Sequence, residues 1–134
     1  MDDTIVFTNG CFDILHVGHL ALFEYCKQLG DYVVVAIDTD DRIKKSKGST
    51  RPINRLEDRV KMLSSLKFVD EVRFFSSDDE LTNIVKDVSP DFMVVGDDYK
   101  DKRVIGSEHA KNLKFFEKIN GYSTTKTIKN ISNR

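Results

Sequence analysis

Two histidines three residues apart, His16 and His19, lie where a strand is predicted to pass into a helix. At positions i and i+3 they share one side of the first helical turn, and Gly18 between them has no side chain to block a ligand. The first N–H groups of a helix lack partners, and the helix dipole adds about half a positive charge there. The pattern therefore predicts an anion site reinforced by two imidazoles.

Two other roles are open to these histidines on sequence grounds. Either residue could cap the helix or pack on the surface, and together with Cys11 they could form a zinc site. Structural zinc normally takes four ligands in recognisable pairs. The remaining candidates are Cys26, which falls on an apolar helical stripe, and His109. The spacing therefore favours an anion site over a metal site.

A dinucleotide-binding loop is a third interpretation, because it also joins a strand to a helix. Its fingerprint is Gly-x-Gly-x-x-Gly directly after the strand. Here Gly10 occupies the turn, but no further glycine follows until Gly18. The spacing therefore disfavours a redox domain that binds a dinucleotide in this way.

Composition restricts the classes of protein to be considered. A chain of 134 residues is enough for one domain, residues 1–134, and its 21 basic residues nearly balance 22 acidic ones, which indicates no nucleic-acid or membrane partner. The two cysteines are too few for a disulfide framework, no apolar run approaches the roughly 20 residues of a membrane span, and the start is acidic, unlike a signal peptide. We therefore expect a cytoplasmic protein.

Strand and helix patterns alternate along the chain, which predicts a doubly wound α/β protein with a Rossmann-like, parallel, five-stranded sheet. The predicted strands span residues 4–8, 32–37, 69–75, 92–95 and 114–119. The predicted helices span residues 17–29, 56–66, 81–88 and 124–131, the last with Ser123 as its N-cap. Ligands of such sheets bind beyond the carboxyl ends of the strands.

Polar segments cluster at that end of the predicted sheet. Residues 38–40 precede a lysine loop over residues 44–52, whose lysines could meet phosphates, although a charge run is otherwise a solvated loop. Residues 96–100 offer paired carboxylates for Mg²⁺ or ligand hydroxyls. Residues 121–125 place a glycine and three hydroxyl residues at a helix start, which predicts a second anion cradle. Arg59 is predicted on the side of its helix opposite the apolar residues.

With these segments in place, the chain resembles the cytidylyltransferase-like nucleotidyltransferases, which are marked by His-x-Gly-His after the first strand and Ser-Thr-Thr near the end. The resemblance runs from Thr8 to Ile131. The nucleotidyltransferase part of the bacterial heptose 1-phosphate adenylyltransferases is similar at residues 9–16, 47–48, 51–54, 96–100, 105–107 and 121–125.

The glycerol-3-phosphate cytidylyltransferases are a second similar subfamily, at residues 27–32, 36–40 and 95–98. Their closing motif carries an arginine where this chain has Lys118, which keeps the charge but loses the planar two-pronged donor. This departure and the Arg-Pro-Ile-Asn segment at residues 51–54 favour the heptose type. A non-catalytic nucleotide-binding module is the alternative from another class.

The resemblance implies transfer of a nucleoside monophosphate from ATP or CTP to a phosphorylated sugar or polyol, with release of pyrophosphate. The expected acceptor is D-glycero-β-D-manno-heptose 1-phosphate, and glycerol 3-phosphate is the alternative. An in-line attack without a covalent enzyme intermediate depends on positioning and charge stabilisation. Mg²⁺ is the expected cofactor, held mainly by the triphosphate with Asp97 as a candidate protein ligand. We expect a homodimer, because relatives commonly dimerise.

The same resemblance assigns roles to individual residues. The catalytic candidates are His16, His19, Lys47, Arg59 and Ser123, of which Arg59 would steady the triphosphate. The nucleotide-binding candidates are Thr8, Asn9, Gly10, Cys11, Phe12, Gly18, Gly96, Asp97, Tyr122, Thr124 and Thr125. The substrate-binding candidates are Asp13, Asp40 and Lys118, and Asp13 would also orient its loop.

Overall fold

Strands and helices alternate through the computed structural model, which describes residues 3–117 and 123–132. The strands are β1 (Ile5–Gly10), β2 (Tyr32–Asp38), β3 (Glu71–Phe75), β4 (Phe92–Gly96) and β5 (Asn112–Phe116). The helices are α1 (Val17–Leu29), α2 (Asp40–Lys47), α3 (Leu56–Ser64), α4 (Asp78–Val88) and α5 (Thr124–Ser132). Two short 3-10 helices, Asp97–Tyr99 and Ser107–His109, lie between β4 and β5. Within the described residues, each helix is too short or too polar to span a bilayer.

The five strands form one parallel sheet in the order β3-β2-β1-β4-β5. The chain therefore winds outward from β1 in one direction through β3, and then in the other through β4 and β5. Connections on the two sides of β1 diverge, and they leave a crevice beyond the carboxyl ends of β1 and β4. The predicted doubly wound α/β fold is confirmed, and its switch point lies at the end of the strand that precedes the histidine pair.

Both faces of the sheet are covered by helices, as the continuous apolar runs in the central strands require. One face buries Phe23 and Cys26 of α1 with Leu63 of α3 against alternate residues of β1, β2 and β4. The other face buries Leu81 and Val85 of α4. Because β1 is sandwiched in this way, the turn that follows it rests on a packed core.

The lysine loop predicted over residues 44–52 is wrong in part, because its first half belongs to helix α2. This helix buries a single residue, Ile43, so it has no apolar stripe to reveal it. Acidic residues in its first turn and lysines in its last turn complement the helix dipole instead. As a result, Lys47 is the last residue of a helix rather than part of a loop.

Candidate active site

A cavity of about 580 Å³ opens at the carboxyl ends of β1 and β4, at the switch point of the sheet. It brings together most of the residues that the sequence singles out. The predicted site residues in its lining are Thr8, Asn9, Gly10, Cys11, Phe12, Asp13, His16, Gly18, His19, Lys47, Gly96, Ser123, Thr124 and Thr125. The histidine pair, the end of α2 at Lys47 and the start of α5 therefore line the same cavity.

The two histidines cap helix α1 by a reciprocal pair of hydrogen bonds. His16 is the N-cap residue, and its Nδ1 accepts a hydrogen bond from the backbone N–H of Gly18 at 3.1 Å. The backbone N–H of His16 in turn donates to Nδ1 of His19 at 3.2 Å. The sequence left helix capping open as an alternative to a place in the binding site. The two roles are compatible, because His16 and His19 both cap α1 and line the cavity.

This capping fixes the proton positions of both imidazoles. An Nδ1 that accepts a hydrogen bond carries no proton, so in each neutral ring the proton lies on Nε2. The two rings stack with their centroids 3.7 Å apart and their planes 22° apart, which disfavours a positive charge on both. Burial also lowers the pKa of His16. In its neutral form each ring thus carries an Nε2–H that can act as a donor.

The turn between β1 and α1 is shaped by Phe12, whose φ of 48° is rare for an aromatic residue. Its ring makes edge contacts with His19 and Phe23, with centroid distances of 5.1 Å to each. A Cβ added to Gly10 would lie 3.0 Å from this ring, so the glycine leaves the space that the ring occupies. The aromatic packing thereby holds His19 from the side.

Asp13 has no exposed surface and orients the segment that follows α2. Its carboxylate accepts hydrogen bonds from the backbone N–H groups of Ile53 and Asn54, at 2.8 and 2.7 Å, and from Nε of Arg51 at 3.1 Å. The predicted loop-orienting role fits these contacts. The predicted substrate contact does not, because the carboxylate is enclosed and occupied by three donors.

Arg59 lies beneath the cavity rather than in its lining, which corrects the predicted triphosphate contact. Its side chain is fully buried, and its guanidinium donates to the backbone carbonyls of Cys11, Asp38 and Asn54 at 2.7 to 3.1 Å. Its Nη2 donates to the carboxylate of Asp40 at 2.7 Å. The sequence places Arg59 on the side of its helix opposite the apolar residues. This second side also packs against protein, and Arg59 therefore supports the backbone that follows β1 and the end of β2.

Asp40 and Asp97 are also absent from the cavity lining, which does not match the predicted ligand contacts. The Asp40 carboxylate is taken by Arg59 and by the backbone N–H of Leu56 at the start of α3. Asp97 opens a 3-10 helix after β4, and the turn of that helix brings Asp98 and Tyr99 to the lining instead. The candidates Lys118 and Tyr122 fall outside the described residues.

The start of α5 forms part of the cavity lining and contacts the loop before the histidines. Ser123 caps the helix as predicted, accepting a hydrogen bond from the backbone N–H of Lys126 at 3.3 Å. The hydroxyl of Thr124 donates to the carbonyl of Ile14, in the loop between β1 and α1, at 2.7 Å. Two helix N-termini, those of α1 and α5, therefore border the same space, which suits a multiply charged anion.

Cys11 lines the cavity but is unsuited to act as a nucleophile. Burial raises the pKa of its thiol, although the positive charges of Lys47 and Arg59 oppose that effect. The thiol is therefore protonated near neutral pH, and a protonated thiol is a weak nucleophile. This agrees with the absence of Cys11 from the predicted catalytic residues.

Several residues of the lining were not among the predicted site residues. They are Leu22, Asp38, Arg42, Arg51, Phe75, Leu81, Val95, Asp98, Tyr99, Arg103, Val104, Ile105 and Phe116. Arg42 is held by Asp38 at 3.2 Å and Asp78 at 2.7 Å, whereas Arg51 is held by Asp13. The sequence could have identified Arg51 as a site residue. It lies between a lysine run and a proline, in the segment that resembles the heptose 1-phosphate adenylyltransferases.

The described part of the chain contains no cluster of three or more His, Cys, Asp or Glu side chains arranged to hold a metal ion. The zinc alternative for Cys11, His16 and His19 therefore gains no support, since both Nδ1 atoms are hydrogen-bonded to backbone or capping partners. Among the described residues, the carboxylates of Asp13, Asp38 and Asp98 belong to the cavity lining, and that of Asp13 is fully buried.

A model of the family described as cytidylyltransferase-like matches residues 7–130. The chain belongs to this family. The match begins at Phe7 within β1 and includes the histidine pair, strands β2 to β5 and most of α5, and so it contains every residue of the cavity lining. It confirms the resemblance drawn from the His-x-Gly-His and Ser-Thr-Thr segments.

Curated relatives match almost the whole chain. The chain is 45% identical over 128 residues to the bifunctional protein HldE of Campylobacter fetus, and 46% identical over 127 residues to that of Helicobacter hepaticus. These matches cover 96% and 95% of this chain but only 28% and 26% of the two relatives. The chain therefore spans about a quarter of the length of the relatives it matches.

Solved structures agree on the fold. The crystal structure of the lipopolysaccharide core biosynthesis protein from Thermoplasma volcanium superposes with a TM-score of 0.70 at 27% identity, covering 87% of this chain and 98% of that one. A pantoate-β-alanine ligase from Francisella tularensis, solved with an ATP analogue and β-alanine, superposes with a TM-score of 0.54 at 17% identity, covering 98% and 69%. The second likeness concerns the fold alone.

Proposed function

We propose that this chain is a nucleotidyltransferase that transfers AMP from ATP to D-glycero-β-D-manno-heptose 1-phosphate and releases pyrophosphate. The observation that carries the reaction type is the reciprocal capping of His16 and His19. It presents two imidazole N–H donors at a helix N-terminus, in a cavity that a second helix N-terminus also borders. Family membership supports the same class of reaction.

In the proposed reaction an oxygen of the acceptor's phosphate attacks the α-phosphorus of the nucleotide. The bond from that phosphorus to the bridging oxygen breaks, and pyrophosphate leaves with the electron pair. The Nε2–H groups of His16 and His19 would donate to phosphate oxygens as charge develops on them. Lys47, Ser123 and the first backbone N–H groups of α5, which begins at Thr124, would hold the departing phosphates.

The heptose acceptor is proposed from resemblance of particular segments. Residues 47–48, 51–54 and 105–107 are similar to the bacterial heptose 1-phosphate adenylyltransferases, and the segment of residues 51–54 is held against Asp13. The likeness to a lipopolysaccharide core biosynthesis protein points the same way. We also propose ATP as the nucleotide on this resemblance, with CTP as the competing choice.

Magnesium is the proposed cofactor. Bound to the triphosphate, it would offset negative charge on the leaving pyrophosphate. Asp38 and Asp98 are the carboxylates of the cavity lining that could complete its oxygen shell. A homodimer is proposed on family grounds, and light scattering coupled to size-exclusion chromatography measures it directly.

A substrate matrix tests the proposed function. ATP and CTP are each combined with the heptose 1-phosphate and with glycerol 3-phosphate, and pyrophosphate release is followed. We expect turnover with ATP and the heptose phosphate. Turnover only with CTP and glycerol 3-phosphate would identify the alternative enzyme, and nucleotide binding without pyrophosphate release in any pair would indicate a non-catalytic module.

Variants of the histidines connect this activity to the site. We expect His19→Ala to reduce kcat by roughly 10²-fold or more, the scale for losing one preorganised donor to the transition state. His109→Ala is the matched control, because His109 lies in a 3-10 helix outside the cavity lining. Normal turnover of a folded His19→Ala variant would contradict the proposed role, and circular dichroism checks the folding of both variants.

A further inference from the structure

Arg51 is a cavity-lining arginine whose guanidinium is held in place from one side only. Its side chain is 8% exposed, and its Nε donates to Oδ2 of the fully buried Asp13 at 3.1 Å. Such an ion pair inside the protein fixes the plane of the guanidinium. Arg51 is therefore a rigid group in the cavity wall rather than a mobile surface cation.

Asp13 does not satisfy the rest of this guanidinium. The same Oδ2 also accepts from the backbone N–H of Ile53, and Oδ1 accepts from the backbone N–H of Asn54. With its carboxylate shared among three donors, Asp13 leaves Nη2 of Arg51 buried without an acceptor among the described residues. Nη1 has only Thr125, whose hydroxyl lies 3.5 Å away, at the outer limit of a hydrogen bond.

A buried donor without an acceptor is uncommon in folded proteins, and each case calls for an explanation. The Nη1 and Nη2 atoms form the end of a planar fork that matches two oxygens of a phosphate group. Here that end borders Thr125 in the first turn of α5, where the helix dipole also favours an anion. The unsatisfied edge and the helix start lie on the same wall.

We propose that Arg51 binds the pyrophosphate end of the nucleotide through this edge. Its Nη1 and Nη2 would donate to oxygens of the β- and γ-phosphates in the substrate and to pyrophosphate before it leaves. The inference rests on the proposed function for the identity of the anion. It follows from the position of Arg51 beside the start of α5, which borders the same cavity as the histidine pair and contacts the loop before it.

Arg51→Lys tests this proposal, because lysine keeps the charge that pairs with Asp13 but loses the two-pronged donor. Arg55→Lys is the matched control, since Arg55 lies four residues away with a side chain that is 73% exposed. Calorimetry with magnesium pyrophosphate gives Kd without any need for turnover. We expect Arg51→Lys to raise Kd about tenfold or more, as for loss of a hydrogen bond to a charged group, and Arg55→Lys to leave it unchanged.

Steady-state kinetics distinguish the two sources of phosphate. We expect Arg51→Lys to raise KM for ATP while KM for the sugar phosphate stays near the wild-type value. An increase confined to the sugar phosphate, or an unchanged Kd for pyrophosphate in the folded variant, would overturn the proposal. Pyrophosphate binding by a wild-type protein that transfers no nucleotide would instead refute the proposed function and leave the role of Arg51 standing.

A second measurement covers an Arg51→Lys variant that does not fold. The wild-type chain is crystallised with magnesium pyrophosphate, and the surroundings of Nη2 are examined. We expect a phosphate oxygen within about 3 Å of Nη2. Pyrophosphate bound elsewhere in the cavity, with water as the partner of Nη2, would overturn the proposal.

Discussion

The buried guanidinium of Arg59 offers the sharpest test of how this site is supported. In an Arg59→Met variant the aliphatic stem is retained, but four hydrogen bonds are lost at once. Three of them end on backbone carbonyls in the turns after β1, after β2 and before α3. The fourth ends on Asp40, whose side chain is 33% exposed and still accepts from the backbone N–H of Leu56.

The magnitude follows from these partners. Breaking a buried charge pair by removing one member costs about 3–5 kcal/mol, and the partial exposure of Asp40 places the expected value toward the lower end. The unpaired carbonyls add to this loss, because a buried acceptor without a donor costs about 1–3 kcal/mol. We therefore expect Arg59→Met to lower the free energy of unfolding by about 3–5 kcal/mol, a large part of the 5–15 kcal/mol typical of a domain.

Urea unfolding followed by circular dichroism measures this change as a lower midpoint at an unchanged slope. Arg55→Met is the control, because its exposed side chain pairs only with Glu57 at 3.4 Å, and we expect a change within about 0.5 kcal/mol. If Arg59→Met instead kept the wild-type stability but lost turnover, the structural role that we assign to Arg59 would be refuted. Arg59 would then act on the ligand, as the sequence interpretation had it.

Three further predictions concern the loop between β1 and α1. Gly10→Ala places a Cβ 3.0 Å from the Phe12 ring, which His19 and Phe23 confine. We expect the free energy of unfolding in urea to fall by about 1–3 kcal/mol. An unchanged midpoint would show that the ring moves freely. Because burial lowers the pKa of His16, its contribution to stability should be complete above its ordinary pKa of about 6.5 and decline as the pH falls below it. In an unfolding series from pH 8 to 5, His16→Asn should flatten this decline, since an amide oxygen can accept from Gly18 without titrating; an equally steep decline would assign the pH dependence to other groups. Thr124→Val removes the hydroxyl that joins α5 to this loop. We expect a higher KM for ATP and a free energy of unfolding lower by about 1 kcal/mol. An unchanged KM would show that the start of α5 does not contribute to nucleotide binding.

The main elements of the fold were predictable because their signals are local. Helix α1 has the predicted bounds of residues 17–29, since an apolar stripe and a preceding turn define both ends. The predicted β5 began two residues late, at Lys114 rather than Asn112, because its first residue is polar and exposed. Helix α2 escaped prediction because dipole complementarity, not an apolar face, characterises its sequence.

The site residues divide along the same line. The position of the histidine pair and of Ser123 at helix starts was predictable, because helix capping uses short local motifs, whereas their binding of an anion stays a prediction. Arg59 and Asp40 were assigned to ligands, although they bind each other beneath the cavity. A polar residue on the solvent side of an isolated helix can face protein once neighbouring turns fold over it, and a local pattern carries no information about those turns.

The hydrogen bond from Thr124 to Ile14 joins residues 110 positions apart, and the bond from Thr8 to Val94 joins residues 86 positions apart. Contacts of this span are made late in folding, since the intervening loop must first be closed. A ligand in this cavity can therefore recognise only the fully folded domain. Its binding should raise the free energy of global unfolding and protect the most slowly exchanging core amides, rather than stabilise a single loop.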